Sequence, residues 1–198
     1  MSDRPELDTR TRMIVSATEL FRENGYSGTG FRDVVAHSGA PRGSIYHHFP
    51  GGKTELAEEA VRLAGAVVGA RIERAAAEGD PQAMVDVFTD GWRRQLERSD
   101  FRAGCPVVAV AIEADTAPGV AAAAAEAFAA WEALLAQALR RSGVPRARAG
   151  RLATLTVSAI EGAVIQCRVA HTTAPLDDVR REIGVLIDGA RRPVASAP

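Results

Sequence analysis

Apolar residues recur at intervals of three and four along most of the chain, the spacing that lines one face of an α-helix. Met13, Ala17, Leu20 and Phe21 predict a first helix over about Thr9–Asn24, which Gly25 stops. Residues 1–8 before it are polar and read as frayed. Two short helices follow. Val34 and Val35 turn one inward over about Phe31–Ser38. Ile45 and Phe49, four apart, share the buried side of another over about Arg42–His48. Gly39 suits the left-handed turn between them, and Pro41 suits a first helical turn, where its missing N–H costs nothing.

The remainder is longer and more apolar. A helix over about Lys53–Glu78 places Leu56, Val61, Leu63, Val67 and Ile72 on its inner side, and Gly79-Asp80-Pro81 breaks it. The next, about Pro81–Arg98, carries Met84, Val87, Phe88 and Trp92. Gly104-Cys105-Pro106 opens a short buried helix in the segment VVAVAIEA. Pro118–Arg141 carries Phe128, Trp131, Leu135 and Ala138 as a stripe. A helix over about Arg148–His171 is apolar on most sides and needs cover on more than one. The last, about Leu176–Ala190, turns Val179, Ile183, Leu186 and Ile187 inward, and the tail at 193–198 reads as disordered. No alternating strand pattern of useful length and no internal repeat occurs. The expected fold class is all-α, with about nine helices.

Composition narrows the picture. Aromatics make up only 5% of the 198 residues, and abundant alanine favours closely packed helices over a β-sandwich. The formal net charge is −1, so any contact with a polyanion has to be local and helped by oligomerisation. Lys53 is the only lysine, a skew toward arginine that makes arginine abundance weak evidence for phosphate binding. Cys105 and Cys167 are far apart and outside any metal-binding spacing, which points to a reduced, cytoplasmic protein without a disulfide framework. The charged N-terminus lacks the apolar stretch of a secretion signal. Glu113, Glu126 and Glu161 break the longest apolar runs below membrane-spanning length, so no membrane partner is expected.

The chemistry concentrates in the third helix. Its inward positions are Ile45 and Phe49, which leaves Arg42, Ser44, Tyr46, His47 and His48 for a polar partner, and Gly43 lets the backbone approach that partner closely. The partner that fits is double-stranded DNA, with the helix in a major groove. Arg42, Ser44 and His47 are placed to read bases; Tyr46 and Lys53 are placed to grip phosphate, which positions without specifying. Thr29 and Arg32 join this set, Thr29 either as a cap or at a phosphate. A merely solvated helix face is the competing reading. Other chemistries fail on geometry. His47 and His48 point about 100° apart on a helix and cannot share one metal ion. Gly52-Lys53-Thr54 resembles the end of a phosphate-binding loop, but His47 stands where the first glycine belongs. GYSGTG resembles a nucleophile elbow, but Thr29 replaces its last glycine.

As a set, Gly25-Tyr26, Thr29, Asp33, Gly39, Gly43-Ser44-Ile45-Tyr46-His47-His48-Phe49, Lys53 and Leu56 resemble the DNA-binding domain of TetR-family transcriptional regulators. Ala40-Pro41 departs from the aliphatic-Ser pair common there, removing a side-chain cap while keeping the turn. The segment GCPVVAVAIEAD looks like the LmrA/QacR-like branch. The resemblance implies a helix-turn-helix DNA-binding domain over 1–52 and a ligand-binding and dimerisation domain over 53–192. It also implies a homodimeric repressor on a pseudo-palindromic operator, released by a small-molecule inducer, without a cofactor.

On that reading Phe88, Trp92, Cys105, Val108, Ile112, Phe128, Trp131 and Ile160 are candidate pocket walls, although ordinary core packing accounts for most of them singly. Glu113 and Glu161 each interrupt an apolar stretch, so each calls for a partner, a ligand or an internal arginine such as Arg168. The cysteines are candidate redox sensors or, more simply, inert buried thiols. Ala159, Ala163, Cys167, Val179, Ile183 and Ile187 are the expected dimer contacts of the last two helices. The alternative is a helical small-molecule-binding protein or enzyme whose helix-turn-helix is vestigial; no nucleophile, paired carboxylate or metal constellation supports catalysis. An activator, or a regulator controlled by a protein partner, is a third reading.

Overall fold

The computed structural model describes residues 7–41, 43–77, 79–113 and 117–191. Among these residues it contains nine α-helices and no strand: α1 (Thr9–Asn24), α2 (Phe31–Ser38), α3 (Ser44–His48), α4 (Gly52–Ala77), α5 (Pro81–Arg98), α6 (Pro106–Ala111), α7 (Pro118–Arg141), α8 (Arg146–Ala170) and α9 (Ala174–Arg191). The all-α expectation holds, and most helices lie where the apolar spacing put them. The caps explain why. Asp8 accepts from Thr11 N at 2.9 Å to open α1, and Asp80 accepts from Gln82 N at 3.1 Å to open α5, with Pro81 in its first turn. The expected tail at 193–198 lies outside the described residues.

The chain divides into two compact units, Met1–Gly65 with Cys105–Ala125, and Ala66–Gly104 with Glu126–Pro198. The division passes through α4 and α7. In the first unit Met13, Ala17 and Phe21 of α1, Val34 of α2, Ile45 of α3, Phe49 and Leu56 are all buried. α1 is the central element: it packs on α2, α3 and α6. Its Thr18 hydroxyl donates to Ile14 O and reaches Ala60 O of α4 at 3.3 Å. The Arg10 guanidinium sits 5.1 Å from the centroid of the Phe49 ring, near Glu55 and Glu59.

The second unit closes on Val85, Leu139, Val144, Ala149, Leu152, Ile183 and Ile187. Arginine–carboxylate pairs border that core and tie α5 to α9. Arg180 holds Asp86 through two bonds of 2.7 and 2.9 Å, Arg93 holds Asp177, and Arg191 meets Asp80 at 3.1 Å. The guanidinium bonds hold the carboxyls of Asp86 and Asp177 below the ordinary aspartate range.

Two expectations change here. Val67 is 45% exposed rather than turned inward. By length and composition α7 and α8 are each apolar enough to cross a membrane, despite Glu126 and Glu161. Half of the apolar window of α8 is buried against its own fold, as a core helix requires.

Candidate functional site

The α2–turn–α3 segment is built by local backbone rules. Gly30 leads into α2, and Asp33 turns back to accept from Gly30 N at 2.7 Å. Gly39 ends the helix in the left-handed conformation, at φ 64 and ψ 22, with its N–H bonded to Val35 O. Ser44 opens α3 with its hydroxyl donating to Pro41 O at 2.8 Å. Ile45 and Phe49 anchor the segment from below, both buried. What remains outward is polar: Arg32, Tyr46 and His47 are exposed, and His48 and Ser44 partly so. Between them runs a groove of about 790 Å³ lined by Phe31, Arg32, Val35, Gly39, Gly43 and Tyr46.

The structure brings the predicted DNA-contacting residues together on this face with three differences. Arg42 lies outside the described residues. Thr29 is 1% exposed, and its hydroxyl donates to Gly25 O at 2.9 Å. It closes the turn after α1, so it offers nothing to a phosphate. Lys53 is half-buried with Nζ 4.3 Å above the Tyr26 ring, and burial lowers its pKa. Its ammonium therefore has a partner within the fold while remaining partly exposed. Sequence reasoning overlooked Phe31, whose ring meets Tyr46 edge-on at 5.5 Å and so holds the exposed tyrosine upright. An aromatic residue at the first position of α2 was the available clue.

Glu113 corrects a second expectation. It is not a wall of a buried pocket: just past α6, it accepts from Tyr26 N at 3.0 Å and Ser27 N at 2.8 Å. The Ser27 side chain, followed by these amides, holds its carboxyl below the ordinary glutamate range. Gly25 makes room for this latch. Its φ is 75, and a β-carbon there would stand 2.5 Å from the Glu113 carboxylate.

The other candidate ligand residues separate. Cys105, Val108, Ile112 and Glu113 belong to the first unit. Ile112 is 74% exposed, because α6 ends at Ala111 and leaves it at the cap, so it is no pocket wall either. In the second unit Phe88, Trp92, Phe128 and Trp131 form one ring cluster. The Phe88–Trp92, Phe88–Trp131 and Phe128–Trp131 centroids are 6.5, 6.0 and 5.5 Å apart. Trp92 is buried, and its indole N–H has no hydrogen-bond partner among the described residues. Ile160 and Glu161 are buried in α8. Cys167 is buried, and desolvation raises its thiol pKa. Both cysteines are buried and outside any disulfide.

Of the expected dimer contacts, Ala163, Cys167, Ile183 and Ile187 are buried within a single chain and present no surface to a second copy. They are the inner faces of α8 and α9, which pack on each other and on α5. Ala159 and Val179 stay partly accessible. The outer face of α8 carries Leu155, Gly162, Ile165 and Val169, within roughly 80° of one another around the helix axis. Leu155, Ile165 and Val169 are 45, 51 and 81% exposed.

Two families describe most of this chain. Residues 13–60 match "Bacterial regulatory proteins, tetR family", and residues 81–182 match "Transcriptional regulator LmrA/YxaF-like, C-terminal domain". The chain is 46% identical over 185 residues to the uncharacterized HTH-type transcriptional regulator Rv0196 of Mycobacterium tuberculosis, covering 90% of this chain and 93% of that one. It is 34% identical over 182 residues to the uncharacterized HTH-type transcriptional regulator YxaF of Bacillus subtilis, covering 91% and 95%. A TetR transcriptional regulator from Chloroflexus aurantiacus superposes with a TM-score of 0.77 at 30% identity, covering 91% of this chain and 94% of that one. With its reading helix, its nine-helix order and these relatives in agreement, the chain belongs to the TetR family of DNA-binding transcriptional regulators, in the LmrA/YxaF-like group.

Proposed function

We propose that this regulator is a cytoplasmic repressor that binds a pseudo-palindromic operator as a homodimer and is released by a small molecule. α3 enters the major groove, with Tyr46, His47 and Arg32 toward the DNA and Ser44 beside them. The second copy docks on the outer face of α8, where Leu155, Ile165 and Val169 are uncovered. The observation that carries ligand release is the ring cluster with its orphan donor. A buried indole N–H costs free energy until it meets an acceptor. The reading is therefore an inducer with an apolar body against Phe88, Phe128 and Trp131 and an acceptor for Trp92. Such a molecule relieves repression only by binding the DNA-incompetent state better than the competent one.

The two tryptophans of the chain both lie in that cluster, so intrinsic fluorescence reports on it alone. The purified protein is expected to protect a two-fold symmetric segment upstream of its own coding sequence. A compound that lifts the protection should quench tryptophan emission. Trp92→Phe should raise the concentration of that compound needed by roughly five- to tenfold, the value of one hydrogen bond, with DNA affinity unchanged. Release by compounds that leave emission untouched would reject the ring cluster as the inducer site, and protection without symmetry would reject the dimer.

A further inference from the structure

Beyond the reading face and the ring cluster, one surface gathers arginines that form no ion pair among the described residues. α4 contributes Arg71 and Arg74, and α5 contributes Arg94 and Arg98. With Gln95 they line a concavity of about 460 Å³ whose floor is Ala75, Val87 and Gly91. Arg71 crosses onto α5: its Nη1 lies 3.4 Å from where a β-carbon on Gly91 would stand. The concavity follows α5 from Val87 to Arg98, about 16 Å of helix.

The other face of α5 shows what is unusual here. Arg93 on that helix holds Asp177, and Asp86 is held by Arg180. Among the described residues no carboxylate stands within ion-pair distance of Arg71, Arg74, Arg94 or Arg98. Arginines abound in this chain, so their presence alone decides nothing. Four of them converging on one concavity without an acid is different. Their mutual repulsion is relieved only by water and salt, and a concave wall of one sign concentrates positive potential. A guanidinium fork matches the oxygens of a phosphate, and neighbouring forks from two helices can hold neighbouring phosphates.

We propose that the α4–α5 groove is a binding site for a small polyphosphorylated anion, a molecule carrying two or more linked phosphates. The groove shares no residue with the DNA-reading face or the ring cluster. A short concave run of cations, about 16 Å long, fits a compact anion better than the continuous backbone of duplex DNA.

Inorganic tripolyphosphate serves as the probe, titrated calorimetrically into the full chain at constant ionic strength. The expected result is one site per chain. Arg71→Ala/Arg94→Ala should weaken it by about tenfold or more, as loss of two charge-assisted contacts implies. Both side chains are exposed, so the melting temperature should hold. Arg140→Ala/Arg141→Ala, which removes two exposed arginines of α7, should leave the affinity unchanged. No saturable binding to the wild type, or equal weakening by both double variants, would overturn the proposal. So would weakening of operator binding by Arg71→Ala/Arg94→Ala with tripolyphosphate unable to compete for the groove, which would assign these arginines to DNA.

Discussion

The outward side of α2–α3 and the outward side of α8 are both unfinished, in opposite senses. The first shows polar groups: Arg32, Tyr46 and His47 stand exposed over a buried pair, Ile45 and Phe49. The second shows apolar groups: Leu155, Ile165 and Val169 stand exposed over a buried row that includes Leu152, Ile160 and Cys167. A polar face with its backbone already satisfied gains little by associating with another protein and much by meeting a polyanion. An apolar face of aliphatic side chains gains by being covered. The two surfaces thus specify different partners. On the proposed reading the near-neutral chain uses both, because one reading helix carries few charges with which to hold DNA alone.

The largest effect should come from the apolar face. Val169→Glu puts a charge on an 81%-exposed position, so the chain should fold normally while the second copy is repelled. Sedimentation should show a shift from dimer to monomer. Operator affinity should fall by roughly 10²- to 10⁴-fold, the gain that linking two binding modules supplies. A variant that stays dimeric would move the interface elsewhere and end the contrast drawn between the two surfaces.

A sharper division runs through the reading head. Tyr46 is 69% exposed, whereas Lys53 sits over Tyr26. Tyr46→Ala should weaken operator binding about tenfold with little change in melting temperature. Lys53→Met should do the reverse: it lowers the stability of the head and leaves the salt dependence of binding nearly unchanged. A lysine at a phosphate would instead reduce the slope of log affinity against log salt by about 1 on removal. A slope change of that size in Lys53→Met would restore the phosphate role that the spacing alone suggests.

Much of this molecule was legible in the chain. Period-three-and-four apolar spacing, with Gly25, Gly39 and Pro81 as punctuation, locates the helices, because local backbone preferences and tertiary burial agree there. The polar outward set of α3 was legible for the same reason: on a short helix whose inner positions are Ile45 and, at its C-cap, Phe49, the rest face out. What failed depended on contacts distant in sequence. Thr29 and Lys53 look alike from sequence, polar residues beside a reading helix, and only the fold shows that Gly25 O and the Tyr26 ring use them. The buried side of α8 was equally hidden. A helix apolar on most sides has no preferred face until α9 and α5 choose one, so Cys167, expected at the dimer contact, is buried within the chain while Val169, two residues on, is exposed.

The smallest effect concerns Glu113, where a residue read as a ligand contact turned out to tie the end of α6 to the turn after α1. Its carboxylate accepts two amide bonds, and its folded pKa lies below the ordinary value of 4.5. A carboxyl whose folded pKa is depressed stabilises the fold fully above its unfolded pKa, and that contribution disappears as pH falls through the folded value. Stability measured by denaturant should therefore decline below about pH 4.5 partly through this group. Glu113→Gln should remove its share of the decline, and at pH 7 should cost only a modest amount, because the site is partly open to solvent. The informative reading is the difference between the two pH profiles. Parallel profiles would mean that Tyr26 and Ser27 amides are served as well by an amide oxygen, and that the latch is geometric rather than electrostatic. A difference present at neutral pH that closes as pH falls through the folded pKa would mean that the charge on Glu113, set against the Lys53 ammonium nearby, is what keeps the turn between α1 and α2 in register with α6.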